Sequence, residues 1–138
     1  MDHAPHLLTA LDPSDRRQVD LRVAGPAALL VAKAIKLEER LADAARGNDR
    51  RLKEKDALDM FRLLQAVDTD ALADGMRRHL ADDHAAEVTA RGLRVLTDHA
   101  LTATSALPDL ATRAAAGRPT VAPSFVVLTK DLLNALEE

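Results

Sequence analysis

Only two of the 138 residues are aromatic, both of them phenylalanine, and the chain contains no tyrosine, tryptophan or cysteine. Strands favour aromatic and β-branched side chains, whereas alanine and leucine favour helices. Hydrophobic residues still make up 47% of the sequence, and a chain of this length can bury a core without disulfide bonds or a structural metal. The composition therefore predicts a mainly α fold whose core consists of leucine, alanine and valine.

The spacing of apolar residues predicts a bundle of about five to six helices. The predicted helices span about 26–45, 54–67, 69–81, 82–102, 107–117 and 123–138. We interpret Thr69 and the pair Asp82-Asp83 as N-caps, and we expect Leu80 and Val88 to face the core.

A short N-terminal strand or hairpin is expected before the first helix. Residues 18–23 alternate between polar and apolar side chains, which is the period of a strand. Gly25-Pro26 then marks the start of a helix. We therefore divide the chain into a strand and turn segment over 1–25, interpreted as the remnant of an α/β domain, and a helical domain over 26–138.

The overall charge argues against several classes of partner. Nineteen basic and 22 acidic residues give a net charge of −3, and without interleaved aromatics there is no base-stacking platform for nucleic acid. No segment is as long and apolar as a membrane span, and no signal peptide is visible. We expect a cytoplasmic protein that binds no membrane and, through this chain alone, no nucleic acid. A nucleotide, a protein partner and a second copy of the chain stay candidates.

Charged residues on the first two helices form the most informative pattern. Lys33 and Arg40 are seven positions apart, close to two helical turns, so they share a face with Lys36 between them. This face lies roughly 100° round the helix from the leucine stripe. Asp56 and Asp59 are three positions apart on the second helix. If the two helices pack antiparallel, one of these carboxylates can meet Lys33 or Arg40.

Two interpretations of this pattern follow from spacing alone. The charges can close a helix–helix seam as partly buried salt bridges, or simply lie on solvated faces. Alternatively, the cations can neutralise nucleotide phosphates while an aspartate orients a lysine or a nucleophile.

The segment also resembles the distal motif pair of AbiEii-type nucleotidyltransferases, a family that includes toxins of type IV toxin–antitoxin systems. The resemblance covers about 45 residues: a strand, Gly25-Pro26, Ala-Leu-Leu-x-x-Lys, six residues, Arg40, a loop, then Lys55-Asp56-x-x-Asp59 and an apolar run. It implies that the chain is the C-terminal helical part of such an enzyme. The implied catalytic residues are Lys33 and Asp56, the nucleotide-binding residues are Lys36, Arg40 and Lys55, and the structural support is Asp59.

The chain departs from this family in one respect. The family's N-terminal domain carries an Asp-x-Asp pair that binds Mg²⁺, and here the only such spacing, Asp68-Thr69-Asp70, follows the Lys-Asp motif and reads as a capping turn. We therefore expect no metal site and no cofactor in this chain alone, and Mg²⁺ with a nucleoside triphosphate only if a catalytic domain is supplied.

The resemblance thus implies a truncated, degenerate or split nucleotidyltransferase-like protein that keeps the helical half of a nucleotide-phosphate site and is inactive by itself. The alternative is a non-catalytic helical interaction module with an antitoxin-like, dimerising or regulatory role. Whether the chain is an enzyme stays open at this point. The only other metal candidate, His84 with Glu87, we interpret as surface residues.

Overall fold

A computed structural model describes residues 25–47 and 54–137, which form six α-helices. The mainly α class and the helix number are therefore confirmed. The expected strand over 18–23, and the segment 1–24 as a whole, lie outside the described residues. The helices are α1 (Pro26–Ala45), α2 (Glu54–Ala66), α3 (Thr69–Leu80), α4 (Ala86–His99), α5 (Ala106–Ala114) and α6 (Val121–Glu137).

Helix α1 lies at the centre of one half of the bundle, packed against α2, α3 and α4. It begins with Pro26 at the first helical position, where the missing N–H of proline would have no partner anyway. Leu30, Ala34 and Leu37 of the predicted stripe are completely buried. The apolar face of α1 thus sets the positions of three neighbouring helices.

Helix α6 organises the other half, because it packs against α3, α5 and α2. The two phenylalanines of the chain meet here. The rings of Phe61 and Phe125 stack with their centroids 5.7 Å apart and their planes 20° from parallel, an offset arrangement that aromatic pairs favour. This pair fixes α2 against α6.

Two glycines let helices approach closely. A methyl group built on Gly92 of α4 would lie 2.9 Å from Val31 Cγ1 and 3.1 Å from Val31 Cα, and one on Gly75 of α3 would lie 2.9 Å from Ala27 Cβ. The α1–α4 contact therefore includes backbone, which cannot move as a side chain can.

Several predicted helix ends are wrong by a few residues. Asp68, not Thr69, caps α3, since its Oδ2 accepts a hydrogen bond from the Ala71 N–H at 3.2 Å. Helix α4 runs from Ala86 to His99, and Asp82 does not cap it but accepts a hydrogen bond from the His84 N–H in the preceding turn. Helix α6 begins at Val121, two residues before Pro123. A proline is tolerated there because the first-turn N–H groups lack intrahelical partners.

Two side chains expected in the core are exposed. Val88 is 47% exposed and Leu80 is 37% exposed. Thr89, one position after Val88, takes the inward place on α4, and each residue turns the helix by about 100°. Leu80 is the last residue of α3, at the edge of its buried surface.

None of the six described helices is both long enough and apolar enough to span a membrane.

The close contact at Gly92 predicts whether a substitution there raises or lowers the stability of the fold. In an open helix, Gly→Ala stabilises by about 1 kcal/mol. We expect Gly92→Ala to lower the free energy of unfolding by roughly 1–3 kcal/mol instead, because the new methyl group forces α4 away from α1. Urea denaturation followed by circular dichroism measures the change. An increase in stability would show that α1 and α4 can separate without cost.

The end of α5 gives a second prediction. Ala116 has a φ of +59° and Gly117 a φ of +78°, in the left-handed region that costs an L-residue about 1–2 kcal/mol. We expect Ala116→Gly to raise the free energy of unfolding by about 0.5–1 kcal/mol. Ala115, with a φ of −92°, is the matched control: Ala115→Gly should lower it by about 0.4–1 kcal/mol. Thermal unfolding measures both, and equal effects of the two variants would contradict the prediction.

Candidate functional site

Two lysines of α1 converge on Asp56 of α2. Lys33 Nζ lies 3.7 Å from Asp56 Oδ1, and Lys36 Nζ lies 3.5 Å from Asp56 Oδ2. The lysines are three positions apart, so both side chains leave α1 on the side that faces α2. The predicted meeting of Lys33 with the carboxylates of the second helix is therefore confirmed.

Asp59 extends this arrangement by one turn. Its Oδ2 lies 3.6 Å from Lys33 Nζ, and its Oδ1 lies 4.0 Å from Arg62 Nη1. We call Lys33, Lys36, Asp56 and Asp59 the ionic cluster. Arg62 was not singled out from the sequence, although its position three residues after Asp59 is the spacing of a helical ion pair.

Burial decreases across the ionic cluster from the acid to the outer lysine. The Asp56 side chain is 12% exposed, that of Lys33 24% and that of Lys36 45%. Asp56 Oδ2 is buried and accepts no hydrogen bond from any described residue, so the ammonium group of Lys36 at 3.5 Å compensates its charge. A buried carboxylate without a cation is costly, and Asp56 therefore depends on the two lysines.

The remaining two predicted site residues lie on the same helices. Arg40 is on α1, four positions beyond Lys36, and is partly buried; Lys55 precedes Asp56 on α2 and is exposed. The contacts of the ionic cluster described above involve neither of them. The cluster thus gathers four of the six predicted residues at one place.

Its carboxylates do not fit a magnesium ion. Mg²⁺ requires oxygen ligands at about 2.0–2.1 Å in octahedral geometry, whereas Asp56 and Asp59 each already face an ammonium group within 3.7 Å. Within 25–47 and 54–137, no group of three or more His, Cys, Asp or Glu side chains has an arrangement that could hold a metal. We derive no step through a metal at this cluster.

Two other carboxylate groups have structural roles. Asp68 caps α3, which confirms the capping interpretation of Asp68-Thr69-Asp70. Asp82 holds the turn before α4 through the His84 N–H at 2.8 Å, and His84 and Glu87 are both exposed.

Comparisons with known proteins add nothing to this geometry. No protein-family model matches the chain, and neither the curated proteins nor the solved structures that were compared give a match. The ionic cluster and the motif resemblance are therefore the features of this chain that bear on its function.

The burial of Asp56 predicts an energetic coupling. We expect Lys33→Met to lower the free energy of unfolding by about 1–2 kcal/mol, between the values for exposed and fully buried pairs, since Asp56 then keeps only the half-exposed Lys36. Exposed Lys55 on α2 is the matched control, and Lys55→Met should change stability by less than about 0.5 kcal/mol. Urea denaturation of Lys33→Met, Asp56→Asn and the double variant measures the coupling. Additive effects of the two substitutions would mean that this ion pair is energetically unimportant.

Proposed function

We propose that this chain supplies the helical half of a nucleotide-phosphate site, of the kind found in the AbiEii-type nucleotidyltransferases that it resembles. One observation carries the proposal. Lys33 and Lys36 both lie within 3.7 Å of Asp56, the carboxylate to which the resemblance gives an active-site role. Each lysine is 20 or more positions away from Asp56 in the chain, and tertiary packing brings them together.

Each member of the ionic cluster has a distinct part in this proposal. Lys36 is the outermost cation, and its ammonium group has three N–H donors, of which some can turn from Asp56 to a phosphate oxygen. Lys33 is held between Asp56 and Asp59, so its ammonium group is already ordered when a phosphate arrives. Asp56 is thus the residue that orients both lysines, and Asp59 fixes Lys33 from the second side.

The charge balance limits what the cluster can do by itself. Two lysines and two aspartates sum to zero, so further positive charge must come from Arg40, Lys55 or a metal bound elsewhere. The carboxylates that would hold Mg²⁺ belong to a separate domain in this proposal. The chain is then the nucleotide-binding part of a toxin-type transferase and does not catalyse nucleotidyl transfer by itself. We place it in the cytoplasm, where nucleoside triphosphates occur.

The second candidate function is a non-catalytic helical interaction module. One feature of α6 favours it: Val127 is 56% exposed and lines a shallow, largely apolar hollow with Pro123 and Leu128. Exposed apolar surface of this kind is typical of contacts with another protein. In that case the ionic cluster only closes the seam between α1 and α2.

Nucleotide binding separates the two candidates. We expect at least one of ATP, GTP, CTP and UTP, with Mg²⁺ present, to raise the melting temperature by a few degrees at ten times its dissociation constant, which corresponds to about 1.4 kcal/mol. Lys36→Ala should lose most of this shift, because it removes the outermost cation. Lys36 is a better probe than Lys33 because the more buried Lys33 still faces Asp56 when Lys36 is replaced, so the substitution costs less stability than loss of Lys33.

Lys130→Ala is the matched control, since Lys130 is an exposed lysine on α6, and its shift should equal that of the unaltered protein. Each variant is compared with its own melting temperature without nucleotide. No shift with any of the four nucleotides, or the same shift in Lys36→Ala, contradicts the nucleotide site and favours the interaction module.

A further inference from the structure

A cavity of about 380 Å³ lies on a neighbouring face of α2, between α2, the end of α5 and the start of α6. Its volume is within the range of about 300–1,000 Å³ that small-molecule sites occupy. Leu58 and Phe61 are apolar residues of its lining, which we call the floor, and Arg62 and Arg118 are the cationic residues of the lining. No residue of the ionic cluster lines this cavity, and none of the lining residues was predicted from the sequence as a binding residue.

The charge of the cavity has one sign. Its lining contains two guanidinium groups, from Arg62 and Arg118, and no carboxylate belongs to the described residues that line it. The other polar lining groups include the amide of Gln65 and the hydroxyls of Thr120 and Ser124. Guanidinium groups bind phosphate and carboxylate oxygens in pairs of parallel hydrogen bonds. The cavity thus has the donors for a compact oxyanion.

The apolar floor determines which chemical group attached to that oxyanion binds well. Phe61 is only 6% exposed and Leu58 only 8%, and the Phe61 ring stacks on that of Phe125, which does not line the cavity. A rigid apolar surface of this kind favours a flat ring, which loses little conformational freedom on binding. A ligand that satisfies both features carries a phosphate at one end and a ring at the other.

The cavity and the ionic cluster are linked through one pair of residues. Arg62 lines the cavity and lies 4.0 Å from Asp59, which also contacts Lys33. On the helical wheel Asp59 is about 100° from Leu58, so the two features occupy adjacent faces of α2.

We propose that this cavity is a binding site for a phosphate monoester borne on a flat apolar ring, with the phosphate between Arg62 and Arg118 and the ring on the Phe61 floor. This site needs no metal and none of the residues of the ionic cluster. It therefore stands or falls separately from the nucleotide site.

Isothermal titration calorimetry on the full chain in a Mg²⁺-free buffer tests the proposal with three probes. Phenyl phosphate carries both features, inorganic phosphate lacks the ring, and phenol lacks the charge. We expect saturable binding of phenyl phosphate, weaker binding of inorganic phosphate by roughly tenfold, because the floor is then unused, and no measurable binding of phenol.

Two variants locate the ligand. Arg118→Ala should weaken phenyl phosphate binding roughly tenfold or more, since a hydrogen bond to a charged group is lost, and its exposed position leaves folding intact. Ser124→Phe should abolish binding by filling the cavity without removing a charge. Arg94→Ala, which removes an exposed arginine on α4, and Lys36→Ala should both bind as the unaltered protein does.

Each alternative result decides against the proposal. It is overturned if phenyl phosphate does not saturate the protein, or if Arg118→Ala binds it with unchanged affinity. Equal affinity for phenyl phosphate and inorganic phosphate overturns the role of the floor and leaves an unselective anion site. Loss of binding in Lys36→Ala would place the ligand at the ionic cluster instead, whatever the outcome of the nucleotide experiment.

Discussion

The close approach of the helices around α1 is the constraint on which the rest of this structure depends. A chain with two phenylalanines and no other aromatic residue has few large side chains with which to span wide gaps between helices. The core is instead filled by bringing backbones together at small residues, as at Gly92 against Val31 and Gly75 against Ala27. Close-packed interiors tolerate few voids, and the positions of these small residues therefore fix how α3 and α4 sit on α1.

The ionic cluster follows from this packing. Once Leu30, Ala34 and Leu37 are buried, Lys33 and Lys36 must emerge along the rim that faces α2, and Asp56 enters the seam from the other side. Because Asp56 is buried, the two ammonium groups beside it contribute to stability, while the exposure of Lys36 leaves it accessible to a ligand. In the proposed function the same residues serve both stability and phosphate binding, with Lys33 more important for stability and Lys36 for the phosphate.

The cavity beside α2 is a place where the packing of the helices leaves space. Phe61 lines the cavity and stacks on Phe125, whereas the chain after α5 has small side chains there: Ala114, Ala115 and Ala116 border the cavity, and the last of these has a positive φ. Small residues that close a turn leave space above an aromatic floor. Arginines from α2 and from the connection to α6 then give that space its charge.

The sequence by itself determined the helical class, the first helix from Pro26 to Ala45 and the shared face of Lys33 and Lys36, because these depend on local propensity and on the 3.6-residue period. It also identified Asp56 and Asp59 as the carboxylates that can meet Lys33 or Arg40, whereas the contact of Lys36 with Asp56 came from the tertiary structure. Only the tertiary structure decided that Asp56 is the buried member, that Val88 faces solvent while Thr89 is buried, and that Arg62 and Arg118 flank one cavity. These outcomes depend on how each helix is rotated against its neighbours, and that rotation is set by contacts between residues far apart in the chain.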